Sequence, residues 1–405
     1  MTKIVNAWNE WDPLKHVIVG RADGGMIPAP EPAAILGPYI RAYLSNEMGE
    51  FETVFNKGES LSDDQLNQIT AALNKWEPLP AELEAKAKEL MNNFAAMLKK
   101  RGIRVDRPTP MNFSQKVQTP DWVQESMIGC MPPRDLFIPV GNEIIEATMS
   151  QRSRWFEYLC YRPLFEQYFK EDPDFLWEAA PKPRLTDESY EKDFWQNFWM
   201  VWSEEEKLER VRQGKYRNTD KEPLFDAADA MRLGKDIFIQ LAIPTNKSGV
   251  DWLRRHLAPR GIRVHEVRFL ETSPWHIDTT IFFPRPGLMF QNPNWMPLAP
   301  EFHELLRING WEIVMCAPPG RDLAHAFAYS SVYLGYNVFS IDPKTICVEA
   351  GEKPLMDQLD KYGFEVVPVD FFDVAPFGGG LHCATTEIFR EGKCEDYFPK
   401  QIPGF

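Results

Sequence analysis

RGIRV occurs at 101–105 and again at 260–264, and NGWEI (309–313) and YGFEV (362–366) have the same form. Each sets a glycine between a helical segment and a short alternating strand. The four glycines are 159, 49 and 53 residues apart, and 159 is three times 53. A module of about 50 residues is therefore expected to recur around the whole chain. The best-defined helix precedes the first glycine. In ELEAKAKELMNNFAAMLKK (82–100), Leu83, Ala87, Leu90, Met91, Phe94, Ala95 and Leu98 share one face. Lys99, Lys100 and Arg101 suit the negative end of the helix dipole, and Gly102 stops the helix.

Hairpin-like segments recur beside this unit: DLFIPVGNEIIEA (135–147), DTTIFFPRPGLMF (278–290) and NVFSIDPKTICVEA (337–350). Each has two β-rich runs around a Gly, Asn, Asp or Pro turn. Hairpin, helix, glycine and strand, repeated, imply a closed circular array whose site lies on the axis and draws residues from several units. His16 to Val19 adds a β-branched strand closed by Gly20, while 23–80 reads as loops with one or two short helices. Residues 150–225 break the rhythm with DFWQNFWMVW (193–202) and the charged SEEEKLERVRQGKYR (203–217). They are read as an insertion packed across the ring with its aromatics as core; a lid or partner-binding role is the alternative.

The composition narrows the function. With 405 residues, 44% of them hydrophobic, the chain can bury a large core. A net charge of −14 argues against nucleic acid and anionic membrane surfaces as partners. No apolar run approaches the roughly 20 residues that cross a bilayer. MTKIVNAWNEW lacks the apolar stretch of a signal peptide and the Arg-rich look of a transit peptide. The six cysteines (130, 160, 316, 347, 383 and 394) show no CxxC spacing, so neither a disulfide framework nor a zinc site is indicated. The reading is cytoplasmic.

Chemistry concentrates in FGGGLHCATTEIFR (377–390). Cys383 on a glycine-rich turn before a strand is a candidate nucleophile, with a small buried hydrophobe as the alternative. Three other places hold polar groups that core packing would not choose: Asp226 and Asp229 in LFDAADAM, His276 and Asp278 in SPWHIDTT, and Asp135 at a hairpin entrance. His276 and Asp278 are read as two apart at the start of a strand, hence on one face. Thiol, imidazole and carboxylate make a nucleophile, an acid/base and its orienting group. The spare carboxylates suit a planar guanidinium. His276 and His382 stand apart without metal-ligand spacing.

FDAAD (225–229), WHIDTT (275–280) and GGGLHCATT (378–386) resemble the three active-site motifs of the glycine amidinotransferase family. WNEWDPLKHVIVGRA (8–22), PRDLFIPVGNEIIEA (133–147), RSRWFEY (152–158) and WLRRHLAP (252–259) match as well, so the resemblance covers nearly the whole chain. It implies an α/β fold, a five-bladed pseudo-symmetric propeller of ββαβ modules, as a single domain over 1–405 with the insertion at about 150–225. It implies that Cys383 attacks the guanidinium carbon of L-arginine, forming an amidino-cysteine and releasing ornithine. His276 would protonate the leaving amine and deprotonate the incoming one, and Asp226 would orient it. Asp135 and Asp278 would hold the guanidinium, and Ser330 and Ser331 the substrate carboxylate. No cofactor and no metal are called for, and the partners are arginine and an amine acceptor, with a homodimer admitted. A guanidine hydrolase or deiminase of the same superfamily is the alternative. Two departures bear on specificity. Where the glycine-using animal enzymes resemble NPMH, this chain has Ser273-Pro274-Trp275-His276, and where they have NPDR it has NPNW, placing Trp295 at the arginine that meets the donor carboxylate. A flat aromatic cannot replace a bidentate cation. Either another basic residue serves that carboxylate, or the amino-acid end is recognised differently. The acceptor is glycine or an amine of a secondary-metabolite pathway.

Overall fold

A computed structural model describes residues 3–33, 77–321, 325 and 332–405. Most of the loops expected at 23–80, and both Ser330 and Ser331, lie outside the described residues. Among those residues are five three-stranded sheets and one two-stranded hairpin. The five share one plan, an antiparallel pair whose second strand carries a parallel third. Phe137–Val140 pairs with Glu143–Glu146, which pairs with Leu176–Ala179. Ala230–Leu233, Asp236–Gln240 and Arg263–Val267 follow, then Ile281–Arg285, Leu288–Gln291 and Glu312–Met315. Phe339–Asp342, Thr345–Glu349 and Glu365–Val369 make the fourth. In the fifth, Thr385–Arg390 pairs with Leu14–Val19, which pairs with Arg104–Asp106, so both ends of the chain share one sheet.

A parallel third strand needs a crossover, and a helix supplies it each time. Ala81–Lys100 lays Ala87, Leu90, Met91, Phe94, Ala95 and Leu98 on Val17 and Val19 of its sheet, with Leu83 partly buried beside them. Lys247–Leu257 uses Val250, Leu253 and Leu257 against Ile237 and Ile239. Glu301–Ile308 buries Phe302, Leu305 and Leu306, and Lys353–Lys361 buries Leu355 and Leu359. Each such side chain contributes roughly 1.5–3 kcal/mol by leaving water.

Gly102, Gly261, Gly310 and Gly363 end four of these helices at φ +82°, +72°, +79° and +82°. A Cβ built at any of them would meet nothing within 4 Å. The backbone's left-handed twist, not space, therefore demands glycine. Gly261→Ala is expected to cost about 1–2 kcal/mol in a denaturant titration and to leave activity intact; a neutral substitution would contradict this.

The fifth helix, Arg162–Glu171, has no such glycine. Its chain turns through Asp172, whose Oδ2 accepts hydrogen bonds from the backbone of Ile4 (2.6 Å) and Val5 (3.2 Å). The Gly102–Gly261 interval thus holds one intervening module rather than the two that the arithmetic implied. This helix and Leu176–Ala179 lie inside the stretch expected as an insertion but belong to the second sheet's module. The residues that break the rhythm start near 180. There Phe194, Trp195 and Phe198 are buried in one cluster with Ile239, Val250 and the half-buried Trp275. Glu204–Gln213 follows, opened by a Ser203/Glu206 capping box and closed by Gly214.

Candidate active site

Every sheet is entered at its first strand through a short turn, and the candidate residues occupy these turns. Pro133–Leu136 carries Asp135, Ala227–Asp229 follows Asp226, and Ile277–Thr279 follows His276 and contains Asp278. Cys383 stands two residues before Thr385–Arg390. The turns touch one another: Pro133–Leu136 meets Ala227–Asp229, and the latter meets Ile277–Thr279. Repetition of the module thus brings distant residues to one place. The His276–Asp278 pair is not on a strand as expected. Residues 277–279 form a helical turn and the strand starts at Ile281, so the turn, not a period of two, aims both side chains inward.

Cys383, His276, Asp226, Asp135 and Asp278 are all buried. His276 Nε2 lies 3.3 Å from Asp226 Oδ2, and its Nδ1 lies 3.7 Å from Asp135 Oδ1. The His276 imidazole favours the thiolate form of Cys383. Cys383 Sγ is 3.8 Å from Asp278 Oδ2. Burial works against a charge on His276, but Asp135, Asp226 and Cys383 together hold it protonated well above the usual imidazole range. Burial and then Asp278 push the Cys383 thiol up to about 12, against the opposing influence of His276. Burial raises Asp135, and raises Asp229 well above the carboxylate range.

Asp135, Asp226, Asp229 and Asp278 each keep one buried oxygen, Oδ1, with no hydrogen-bond partner among the described residues. A buried carboxylate oxygen without a donor is costly. Four of them clustered about His276 and Cys383 are what a planar, N–H-rich cation would satisfy. Gly379 keeps the approach to the sulfur open. At φ +134°, a Cβ there would sit 2.6 Å from Cys383 Sγ. Beneath the loop, Asn337 Oδ1 accepts from the backbone of His382 (2.9 Å) and of Cys383 (3.0 Å), fixing the position of Cys383.

Glu10, His382 and Glu387 bring three donor atoms within 4.8 Å of one another, a spacing that a metal ion would accept. Arg232 already grips Glu10 through two 2.9 Å bonds and Glu387 through one of 2.7 Å. The guanidinium supplies the positive charge there, so the cluster reads as an ion network.

No protein-family model matches the chain. Mitochondrial glycine amidinotransferase of Gallus gallus is 37% identical over 396 residues, covering 97% of this chain and 85% of that protein. The chain belongs to the glycine amidinotransferase family. It is an enzyme that transfers amidino groups. L-Arginine:L-lysine amidinotransferase of Pseudomonas savastanoi pv. phaseolicola is 33% identical, covering 98% and 97% of the two chains. The structure of an amidinotransferase from Microseira wollei in the saxitoxin biosynthetic pathway superposes with a TM-score of 0.76 at 32% identity, covering 97% and 99%.

Among this amidinotransferase's specificity candidates, Trp275 sets its ring edge to face with His276 at 6.3 Å. Ser273 is exposed, and Trp275 stacks on Trp195 of the insertion at 6.4 Å. Trp295 is half-buried and meets Tyr333 edge to face at 4.8 Å. Five participants went unrecognised in the sequence. Arg154 binds Asp135 Oδ2 through Nη1 (2.7 Å) and Glu157 through Nε (2.7 Å). Glu10, His382 and Asn337 complete the set. Arg154 and Glu157 fall in RSRWFEY and Glu10 in WNEWDPL, stretches that matched the family without suggesting a role.

Proposed function

We propose that this amidinotransferase moves the amidino group of L-arginine through a covalent amidino-Cys383 to a primary amine, releasing L-ornithine. The observation that carries the proposal is the buried thiol and imidazole with four half-satisfied aspartates clustered about them. Five sheets of one plan support the five-bladed α/β propeller of the family, here one domain with its insertion starting near residue 180.

Asp135 and Asp278 hold the guanidinium from two sides. The thiol of the free enzyme, near 12, is almost wholly protonated at neutral pH. An arriving guanidinium cancels the negative field of Asp278 and Asp135, the groups that work against a thiolate, so substrate binding promotes release of the sulfur's proton to solvent. The thiolate adds to the guanidinium carbon. His276, already cationic, donates its proton to the departing Nδ of ornithine as that C–N bond breaks. The neutral imidazole then takes a proton from the acceptor amine, which attacks the amidino carbon, and the C–S bond breaks. Asp226 holds the ring in place. Water must stay out during the covalent stage, or the intermediate would hydrolyse to a urea.

The acceptor is glycine or an amine of a secondary-metabolite pathway, consistent with a toxin-pathway enzyme and an L-lysine-using enzyme among the relatives. A panel of amines, assayed for ornithine and new guanidino products, decides between them. Citrulline and ammonia instead would mean a deiminase. Arginine alone is expected to leave the protein heavier by one amidino group on Cys383, as read by intact-mass spectrometry. A mass unchanged at every pH would overturn the covalent route.

A further inference from the structure

His382, immediately before the thiol, is bound at both ring nitrogens to carboxylates. Its Nδ1 lies 2.8 Å from Asp278 Oδ2 and its Nε2 lies 3.2 Å from Glu10 Oε2. A neutral imidazole has one N–H and one acceptor nitrogen, and it cannot donate to two carboxylates at once. Two such partners require both nitrogens protonated. Glu10 is itself anchored by Arg232 at 2.9 Å and faced by Arg134 at 3.6 Å, so it has no freedom to turn away. Asp278 Oδ2, the oxygen His382 holds, is also the one 3.8 Å from Cys383 Sγ.

We infer that His382 is a permanently cationic positioning residue that fixes Asp278 in its ionised form and so sets both the grip on the donor guanidinium and the pH at which the site becomes competent. The inference rests on the amidinotransferase reading above and deepens it. The groups facing His382 are Asp278, Glu10, Arg134 and Glu387; those facing Asp278 are His382, His276, Arg134, Cys383 and Asp229. Burial disfavours charge on His382, yet its two carboxylate partners outweigh burial and Arg134 and raise it. The converse holds for Asp278: burial opposes its charge, and His382, His276 and Arg134 depress it. Activity needs Asp278 ionised. Removing the His382 charge therefore raises the Asp278 pKa and moves the acid limb of kcat/KM to higher pH.

Two substitutions separate this role from plain packing. In His382→Asn an amide nitrogen can stand where Nδ1 stood and still donate to Asp278, without the charge. In His382→Gln the amide reaches toward Glu10 and leaves Asp278 Oδ2 without its donor. The expected result is a KM for arginine raised about 10- to 100-fold, more in Gln than in Asn, with the acid limb displaced upward in both. His382→Asn combined with Asp278→Asn should be no worse than Asp278→Asn alone, because the first acts through the second. Equal losses in Asn and Gln, an unmoved limb and additive effects would together reduce His382 to a structural histidine. Nitrogen NMR of the wild-type protein with 15N-labelled histidine gives a test independent of any variant. Both ring nitrogens of His382 protonated at pH 7 supports the inference, and a neutral tautomer overturns it. Ornithine release by the wild-type enzyme is measured first, so that a failed amidinotransferase reading is distinguished from a failed role for His382.

Discussion

Cys383→Ala should release no detectable ornithine, a loss of at least about 10⁴-fold, while melting within a few degrees of the wild-type protein. On the proposed route the sulfur carries the amidino group between donor and acceptor, and among the described residues Asp278 and His276 are assigned other roles. The fold has little to lose. The loop is fixed by the backbone N–H groups of His382 and Cys383 on Asn337, which alanine retains. Coupled ornithine assays and thermal unfolding, run on the same preparation, check both halves. Normal turnover in the variant would remove Cys383 from the chemistry.

Asp226→Asn should cost about 10³- to 10⁴-fold in kcat with stability unchanged or raised. The carboxylate lies 3.3 Å from His276 Nε2 and favours the protonated ring that must deliver a proton to the leaving amine. An amide of the same shape supplies no charge, so the imidazolium loses one of its counter-ions. Stability moves the other way because Asp226 shares its buried surroundings with Asp135 and Asp229, and its Oδ1 has no partner among the described residues. Removing a buried charge beside Asp135 relieves repulsion and desolvation that function maintains. A variant that kept its turnover, or that unfolded outright, would show that Asp226 is a structural carboxylate.

Much of this was legible in the sequence because it is local. A glycine after a helix marks a left-handed backbone position, and four glycines drew the module. The three hairpins quoted from the sequence fold as hairpins, turning near Gly141, Gly287 and the Asp342–Thr345 corner. The second module was hidden because Asp172 makes its helix-to-strand turn, leaving no glycine to read. The His276–Asp278 register misled because a helical turn and an extended strand of three residues differ little in composition. The ion network under the thiol left no local sign at all. Arg232 reaches Glu10 across 222 positions and Glu387 across 155, and such partners become visible only once the chain is folded.

The sheet that unites Leu14–Val19 with Thr385–Arg390 has a kinetic meaning. His382 and Glu10 meet across 372 positions, so the Cys383 loop gains its electrostatic setting only after nearly all of the intervening polypeptide has left the ribosome. Pairing this remote in sequence favours slow, late assembly, and the sulfur acquires its buried, proton-bearing state in the same event that joins these two strands in one sheet. On the proposed mechanism, chains that lack this pairing are expected to release no ornithine.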